Sequence, residues 1–347
     1  MGKVLATVAS FAAITCVCAG AHAQSSADAQ GTAGAFYAGK VVRLLVGYGP
    51  GTGFDVYGRA VARHLGRNIP GKPNIIVENM PGAGGLTMAN HLYNAASKDG
   101  ATIGLLVNVF LEPLFKNELA RYDPKQFNWL GSVSRSTPLC FTWHTAGLKS
   151  LEDVKTRETL VGAVGRYSDS YYFPQIINSV LGTKFKPVLG YPDSGAIGIA
   201  MERGELHGFC SFSLSSIKSA RPEWLDHKRI DILVQLGMQK SPELPQVPLM
   251  LDLATDESWR QALTVLAGNW EAARPLGAPP GVSSERMEVL RAAFDRTMVD
   301  TTFLEEARKM KLEVDPIDGA AVKEVIDRLY ATPASVVDKL IAIRAMD

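Results

Sequence analysis

Net charge of either sign, long apolar runs and clustered metal-binding side chains are what this sequence has least of. Among 347 residues, 36 Lys and Arg stand against 35 Asp and Glu, a formal net charge of +1. A chain so balanced carries no electrostatic footprint for nucleic acid or for an anionic membrane surface. Past residue 23, no segment is long and apolar enough to span a bilayer. Of four cysteines, Cys16 and Cys18 lie near the N-terminus, and Cys140 and Cys210 have no paired spacing to histidines that would read as a metal site. His64, His91, His144, His207 and His227 are scattered, with no pair at helical metal-binding spacing. There is no phosphate loop ending in Lys-Ser/Thr and no G-x-S-x-G nucleophile elbow. No internal repeat is visible, which excludes solenoids and propellers.

What is present begins with an export signal. Lys3 is followed by an uncharged, mostly apolar stretch over residues 4–20, then by Ala21-His22-Ala23 before Gln24. A basic start, a short apolar core and a small-x-small site read as a secretory signal over residues 1–23, cleaved from the mature chain. A retained anchor is the bland alternative, but the stretch is marginal for a span. An exported chain meets oxidising conditions, so Cys140 and Cys210 fit one disulfide; their apolar neighbours fit a pair of buried thiols equally well. The mature chain, about 324 residues, is long enough for two lobes, and 46% hydrophobic composition can fill a large core.

The most informative local feature is a pair of glycine-rich loops, each between an apolar strand and a helix. Gly49-Pro50-Gly51-Thr52-Gly53-Phe54-Asp55 follows the apolar run that ends at Val46, and Pro81-Gly82-Ala83-Gly84-Gly85 follows Ile75-Ile76-Val77. Neither loop carries Lys or Arg. What they offer is bare backbone, with N–H groups free to face a ligand and helix starts that add unsatisfied donors and a partial positive charge. Two such starts side by side make an anion-binding wall, for which a carboxylate is the simplest occupant.

Strands are expected over 43–48, 74–79 and 102–108, with helices over 55–67 and 86–97 between them. The middle repeats the pattern, with strands at 160–165, 185–189 and 206–212, helices at 170–181 and 194–203, and a returning strand at 230–236. Ser150-Leu151-Glu152-Asp153 resembles a capping box opening a short helix. The last third reads as helices over 284–298, 303–311, 320–330 and 334–345. Apolar strands joined by helices argue an α/β chain with parallel sheets covered on both faces.

Gly49-Pro50-Gly51-Thr52-Gly53-Phe54-Asp55-Val56, Val77-Glu78-Asn79-Met80-Pro81-Gly82-Ala83-Gly84-Gly85 and Lys98-Asp99-Gly100 resemble the signatures of the periplasmic solute-binding proteins of tripartite tricarboxylate transporters, the Bug or TctC family. Leu244-Pro245-Gln246-Val247-Pro248 and Ala278-Pro279-Pro280-Gly281-Val282 match two later landmarks in order. The resemblance covers essentially the whole mature chain. It implies a two-lobed, type II-like periplasmic binding protein fold with the ligand cleft between the lobes. Crossing strands near 127–134 and 231–238 would divide the chain into lobe 1 (24–130 plus 236–347) and lobe 2 (131–235). It implies a periplasmic, non-enzymatic protein that presents a small organic carboxylate to membrane permease subunits. A monomer without cofactor is expected.

On this resemblance the ligand-binding residues are Tyr48, Gly53, Phe54 and Asp55 at the first loop, Ala83, Gly84 and Gly85 at the second, and Asn108 at the third strand's end. The second lobe adds Arg166, Tyr167, Ser168, Tyr191, Ser194 and Phe212. No residue is assigned to catalysis or to a metal. Asp55 cannot attract an anion directly, so it either holds the loop's N–H groups in place or accepts from a ligand hydroxyl or ammonium. Arg166, Tyr167, Asp193 and His207 depart from the family's pattern of a small polar residue, glycine, glycine and aspartate. Arg166 is either a second carboxylate partner or a surface arginine paired with Asp169. Tyr48, Phe54, Phe110, Tyr167, Tyr171, Tyr191 and Phe212 fall near strand ends, where this fold binds ligands. They either pack the interior or favour an aromatic or extended carboxylate.

Two enzymatic readings stand beside this one. The first glycine loop follows a strand as a dinucleotide fingerprint would, but the register places Thr52 or Phe54 where the third glycine is needed. An exported enzyme acting on small carboxylates is the alternative function, with no acid–base or nucleophile constellation in its favour.

Overall fold

A computed structural model describes residues 34–106 and 109–345. The expected export signal and Asn108 therefore lie outside the described residues. In chain order the strands are β1 (Val41–Val46), β2 (Asn74–Asn79), β3 (Thr102–Leu105), β4 (Asn128–Ser132), β5 (Pro138–Trp143), β6 (Thr159–Gly162), β7 (Phe185–Val188), β8 (Gly208–Ser213), β9 (Ile230–Gln235), β10 (Pro275–Ala278) and β11 (Ile317–Asp318). They form two sheets, one of six strands in the order β11-β4-β10-β3-β1-β2 and one of five in the order β7-β6-β8-β5-β9. Each sheet is the centre of a lobe. No described helix is long and apolar enough to cross a membrane.

Four helices position the cleft: α1 (Gly53–Asn68), α2 (Leu86–Asn94), α3 (Asp169–Leu181) and α4 (Ser194–Glu202). The first is amphipathic at helical spacing and buries Tyr57, Ala60, Val61 and Leu65 against β1 and its neighbours. Thr52 caps it by accepting from the Asp55 N–H, with Asp55 in the first turn and Arg67 in the last, as the helix dipole favours. The capping box is present, with Ser150 and Asp153 exchanging side-chain and backbone hydrogen bonds.

The parallel pattern holds only in part. β1 pairs parallel with β2 and β3, and β6 with β7 and β8. However, β10 runs antiparallel between β3 and β4, and β5 antiparallel between β8 and β9. The reason is topological: β4 passes straight into β5 with no intervening helix, so the chain changes sheets without the crossover that parallel pairing needs. β10 returns to the first sheet from the C-terminal part of the chain. The interiors of β5 and β8 are buried throughout, and Cys140 and Cys210 face each other across them, joined as a disulfide. With the cysteines separated by 70 positions in sequence, the chain-entropy account gives the bond on the order of 4 kcal/mol of stabilisation.

Space at the sheet junction is tight. A Cβ at Gly131, in β4, would overlap the Phe294 ring and lie 2.7 Å from the Ile317 carbonyl oxygen. Neither the fully buried ring nor the backbone of β11 can retreat cheaply. Gly131→Ala is therefore expected to destabilise the protein by about 2–3 kcal/mol, read as a lower urea midpoint at unchanged slope; an unchanged midpoint would mean that the junction is loosely packed.

Candidate functional site

Residues at the strand ends of the two sheets line a shared cleft, and the first glycine loop is braced by a buried carboxylate. Asp55 is 2% exposed, and its Oδ2 accepts from the Gly51 N–H at 2.8 Å and from Arg59 Nε at 2.9 Å. Its Oδ1 accepts from Asn79 Nδ2 at 2.9 Å, and the same amide donates to the Tyr48 carbonyl at 2.8 Å. Thr52 Oγ1 donates to the Gly49 carbonyl at 2.8 Å. Burial alone would push the Asp55 carboxyl up, but the bonds from Arg59, Gly51 and Asn79 together hold it below the ordinary 3.8.

The second loop is a single turn of 3-10 helix, Ala83–Gly85, leading directly into α2. Gly84 has φ +66°, and a Cβ there would stand 3.7 Å from the Tyr167 carbonyl oxygen of the opposite lobe. A side chain at this position would be strained by the left-handed backbone, and its Cβ would already be in contact with the opposite lobe. Gly53 is tighter, since its Cβ would lie 2.8 Å from Ser216 Oγ.

Two neighbouring cavities occupy the cleft. The outer one, about 170 Å³, has the glycine loops on one side and the 164–168 loop with Tyr191 and Pro192 on the other. It gathers Tyr48, Ala83, Gly84, Gly85, Arg166, Tyr167, Ser168 and Tyr191. The inner one, about 60 Å³, gathers Tyr48, Phe54, Ser168, Ser194 and Phe212 with residues the sequence did not point to. Tyr48, Val164 and Ser168 belong to both. Gly53 and Asp55 line neither, which leaves Asp55 as the brace of the loop and Gly53 as a point of close approach.

The aromatic expectations divide. Tyr48 stacks on Phe54 at 5.4 Å, and Phe212 lines the inner cavity. Phe110 is buried in the core edge-on to Trp129, and Tyr171 is buried with the Arg166 guanidinium 5.8 Å above its ring. Tyr167, at 41% exposure, forms part of the rim. Arg166 also lies on that rim, with Nη1 3.5 Å from the Tyr171 hydroxyl. Two of the departures from the family pattern are architectural. Asp193 caps α4 by accepting from the Ala196 N–H at 2.9 Å, and His207 Nδ1 accepts from the Leu160 N–H at 3.0 Å.

The residue that sequence reasoning missed is Arg274, which is 1% exposed and lines the inner cavity. Its guanidinium lies 4.1 Å from the Phe54 ring centre and 4.9 Å from that of Tyr57. Nη1 donates to the Ala273 carbonyl at 2.9 Å, and Nη2 to Ser216 Oγ at 3.1 Å and Ser213 Oγ at 3.5 Å. Nε has no partner among the described residues, nor has Nε1 of Trp270 on the same cavity. Burial lowers the guanidinium from its ordinary value, yet an arginine keeps its charge inside a protein. The signal was available: a lone arginine stands in the otherwise apolar run Ala272-Ala273-Arg274-Pro275-Leu276. Among the described residues no three of His, Cys, Asp or Glu gather to hold a metal ion.

No protein-family model matches the chain, and no curated protein matches it. Solved structures do. The periplasmic binding protein BugD is 17% identical at a TM-score of 0.69, over 87% of this chain and 97% of its own. MatC from Rhodopseudomonas palustris, with bound malate, is 17% identical at 0.67, over 86% and 99%. Rpa4515 from R. palustris, with adipate, is 17% identical at 0.66, over 87% and 97%. The chain thus has the two-lobed α/β fold of periplasmic binding proteins, BugD among them.

The brace yields a direct test. The stabilisation from Asp55 is fully present above the ordinary 3.8 and is lost as pH falls through its depressed folded value. Asp55→Ala strands the Gly51 N–H and should cost about 1–3 kcal/mol, measured by urea unfolding at neutral pH. The difference from the parent protein should shrink on acidification; a pH-independent difference would remove the charge from the explanation.

Proposed function

We propose that this chain is a periplasmic solute-binding protein of the Bug or TctC type. It captures an organic carboxylate in the cleft between lobes 24–130 plus 236–347 and 131–235, and presents it to membrane permease subunits of a tripartite transporter. The observation that carries this reading is the outer cavity, whose one wall is Gly47 to Gly49, where the first glycine loop begins, and Pro81 to Gly85, the second loop at the start of α2. Two proteins of the same fold hold malate and adipate. The aromatic rings around Tyr48 favour an extended or aromatic carboxylate over a compact one. Among the described residues neither cavity is lined by a histidine, the commonest general base, which favours binding over an exported enzyme.

Incubating the purified protein with a panel of mono- and dicarboxylates separates the two functions: stoichiometric binding without turnover is expected, and product formation would establish the enzyme. Gly84→Val should weaken binding at least about tenfold, because it blocks backbone approach at a left-handed position. Unchanged calorimetric affinity in a folded variant would remove this loop from the site. Arg166 faces the same outer cavity, and its planar fork suits a ligand's second carboxylate. Arg166→Ala should therefore weaken dicarboxylates more than the matching monocarboxylates, and equal losses would return it to a rim role.

A further inference from the structure

The inner chamber holds a buried positive charge that Asp169 and Glu313 offset only from beyond ion-pair distance among the described residues. Arg274 is almost wholly buried and has no carboxylate within ion-pair distance among the described residues; its partners are one carbonyl and two serine hydroxyls. Placing a charge out of water costs several kcal/mol unless a counter-charge and hydrogen bonds offset it. The chain supplies the counter-charge elsewhere: Arg344, with its side chain 9% exposed, is paired with Glu112 at 2.7 Å, although its Nε too has no acceptor among the described residues. In the inner chamber two donors, Arg274 Nε and Trp270 Nε1, are left without acceptors. Buried donors are normally satisfied, so a pair of unmet ones around a single cavity points to an acceptor supplied from outside.

The shape of the chamber limits what that acceptor can be. About 60 Å³ accommodates a carboxylate group but not the body of an organic acid. Phe54, Phe209 and Phe212 line it, so the group beside the guanidinium sits among rings that exclude water and strengthen an ion pair. Asp169 is also on the wall, and its Oδ1 accepts from the Ser170 N–H at 2.9 Å. Its charge disfavours an anion in contact with it, whereas the unmet donors of Arg274 and Trp270 favour one. Beyond Tyr48 and Ser168 lies the outer cavity with its glycine wall.

We infer that the inner chamber is an anion subsite in which Arg274 and Trp270 clamp one carboxylate of the ligand, while the rest of the molecule extends past Tyr48 into the outer cavity. This rests on the reading of the cleft as a carboxylate site and adds to it the charge partner. The two arginines then divide the work. Arg274 meets the carboxylate that every ligand carries, and Arg166 meets the far end of those that carry two.

The test is calorimetric titration of the full mature chain with butyrate, succinate, hexanoate, adipate, benzoate and phthalate, in the parent protein and in Arg274→Met. The variant is expected to lose affinity for mono- and dicarboxylates alike, by about a hundredfold or more, and to melt higher than the parent when ligand-free, since a lone buried charge has been removed. A folded Arg274→Met that binds as the parent does would overturn the subsite and leave the reading of the cleft intact. No binding to the parent by any of the six would overturn the reading and the subsite together. Should Arg274→Met fail to fold, Trp270→Phe removes a single donor, with about a tenfold loss expected and unchanged affinity overturning the clamp.

Discussion

A carboxylate can be held by backbone N–H groups only if those groups are already fixed when it arrives, and this constraint organises the cleft. Asp55, buried at the start of α1, ties the first glycine loop to itself through Gly51 and to the end of β2 through Asn79. Asn79 in turn holds the Tyr48 carbonyl, so the ring that divides the two cavities is tied to the same brace. The loop thereby loses its freedom during folding rather than during binding, when the loss would subtract from affinity. A negatively charged residue beside the proposed anion site is thus consistent with the proposed function, because its lone pairs are occupied by the scaffold.

The interleaved chain course serves the same end. The passage from β4 to β5 joins the two sheets, and β10 returns the chain to the first sheet between β3 and β4. Arg274 sits immediately before β10, with its backbone N–H donating to Ser132 Oγ in β4 and its side chain reaching the Ser213 hydroxyl at the end of β8. It therefore touches both sheets at the base of the cleft. A residue so placed bridges the two sheets, and a ligand anchored on it would engage both lobes at once.

Much of this was legible in the sequence where the signal is local. The strand over 74–79 and the helix over 284–298 fall where the apolar periodicity places them, and the glycine loops lie at the strand-to-helix turns. The capping box at Ser150 needs only near neighbours and was equally readable. What the sequence concealed depends on residues far apart in it. The antiparallel course of β10 follows from a return crossing that no local pattern records. Phe110 has the same strand-end setting as Tyr48 but turns into the core. Asp193 looked like a change to the site and proved to be a helix cap. Arg274 stands out as a charge in an apolar run, but its burial against the cleft is a property of packing rather than of spacing.

The central claim is that a small organic anion is held between the lobes. Mass spectrometry of small molecules released by denaturing the freshly purified mature protein tests it most directly. The account predicts an organic carboxylate at about one per chain in the parent protein, lost from a variant that fills the glycine wall. Stoichiometric release of a neutral or cationic compound, with no carboxylate, would contradict it.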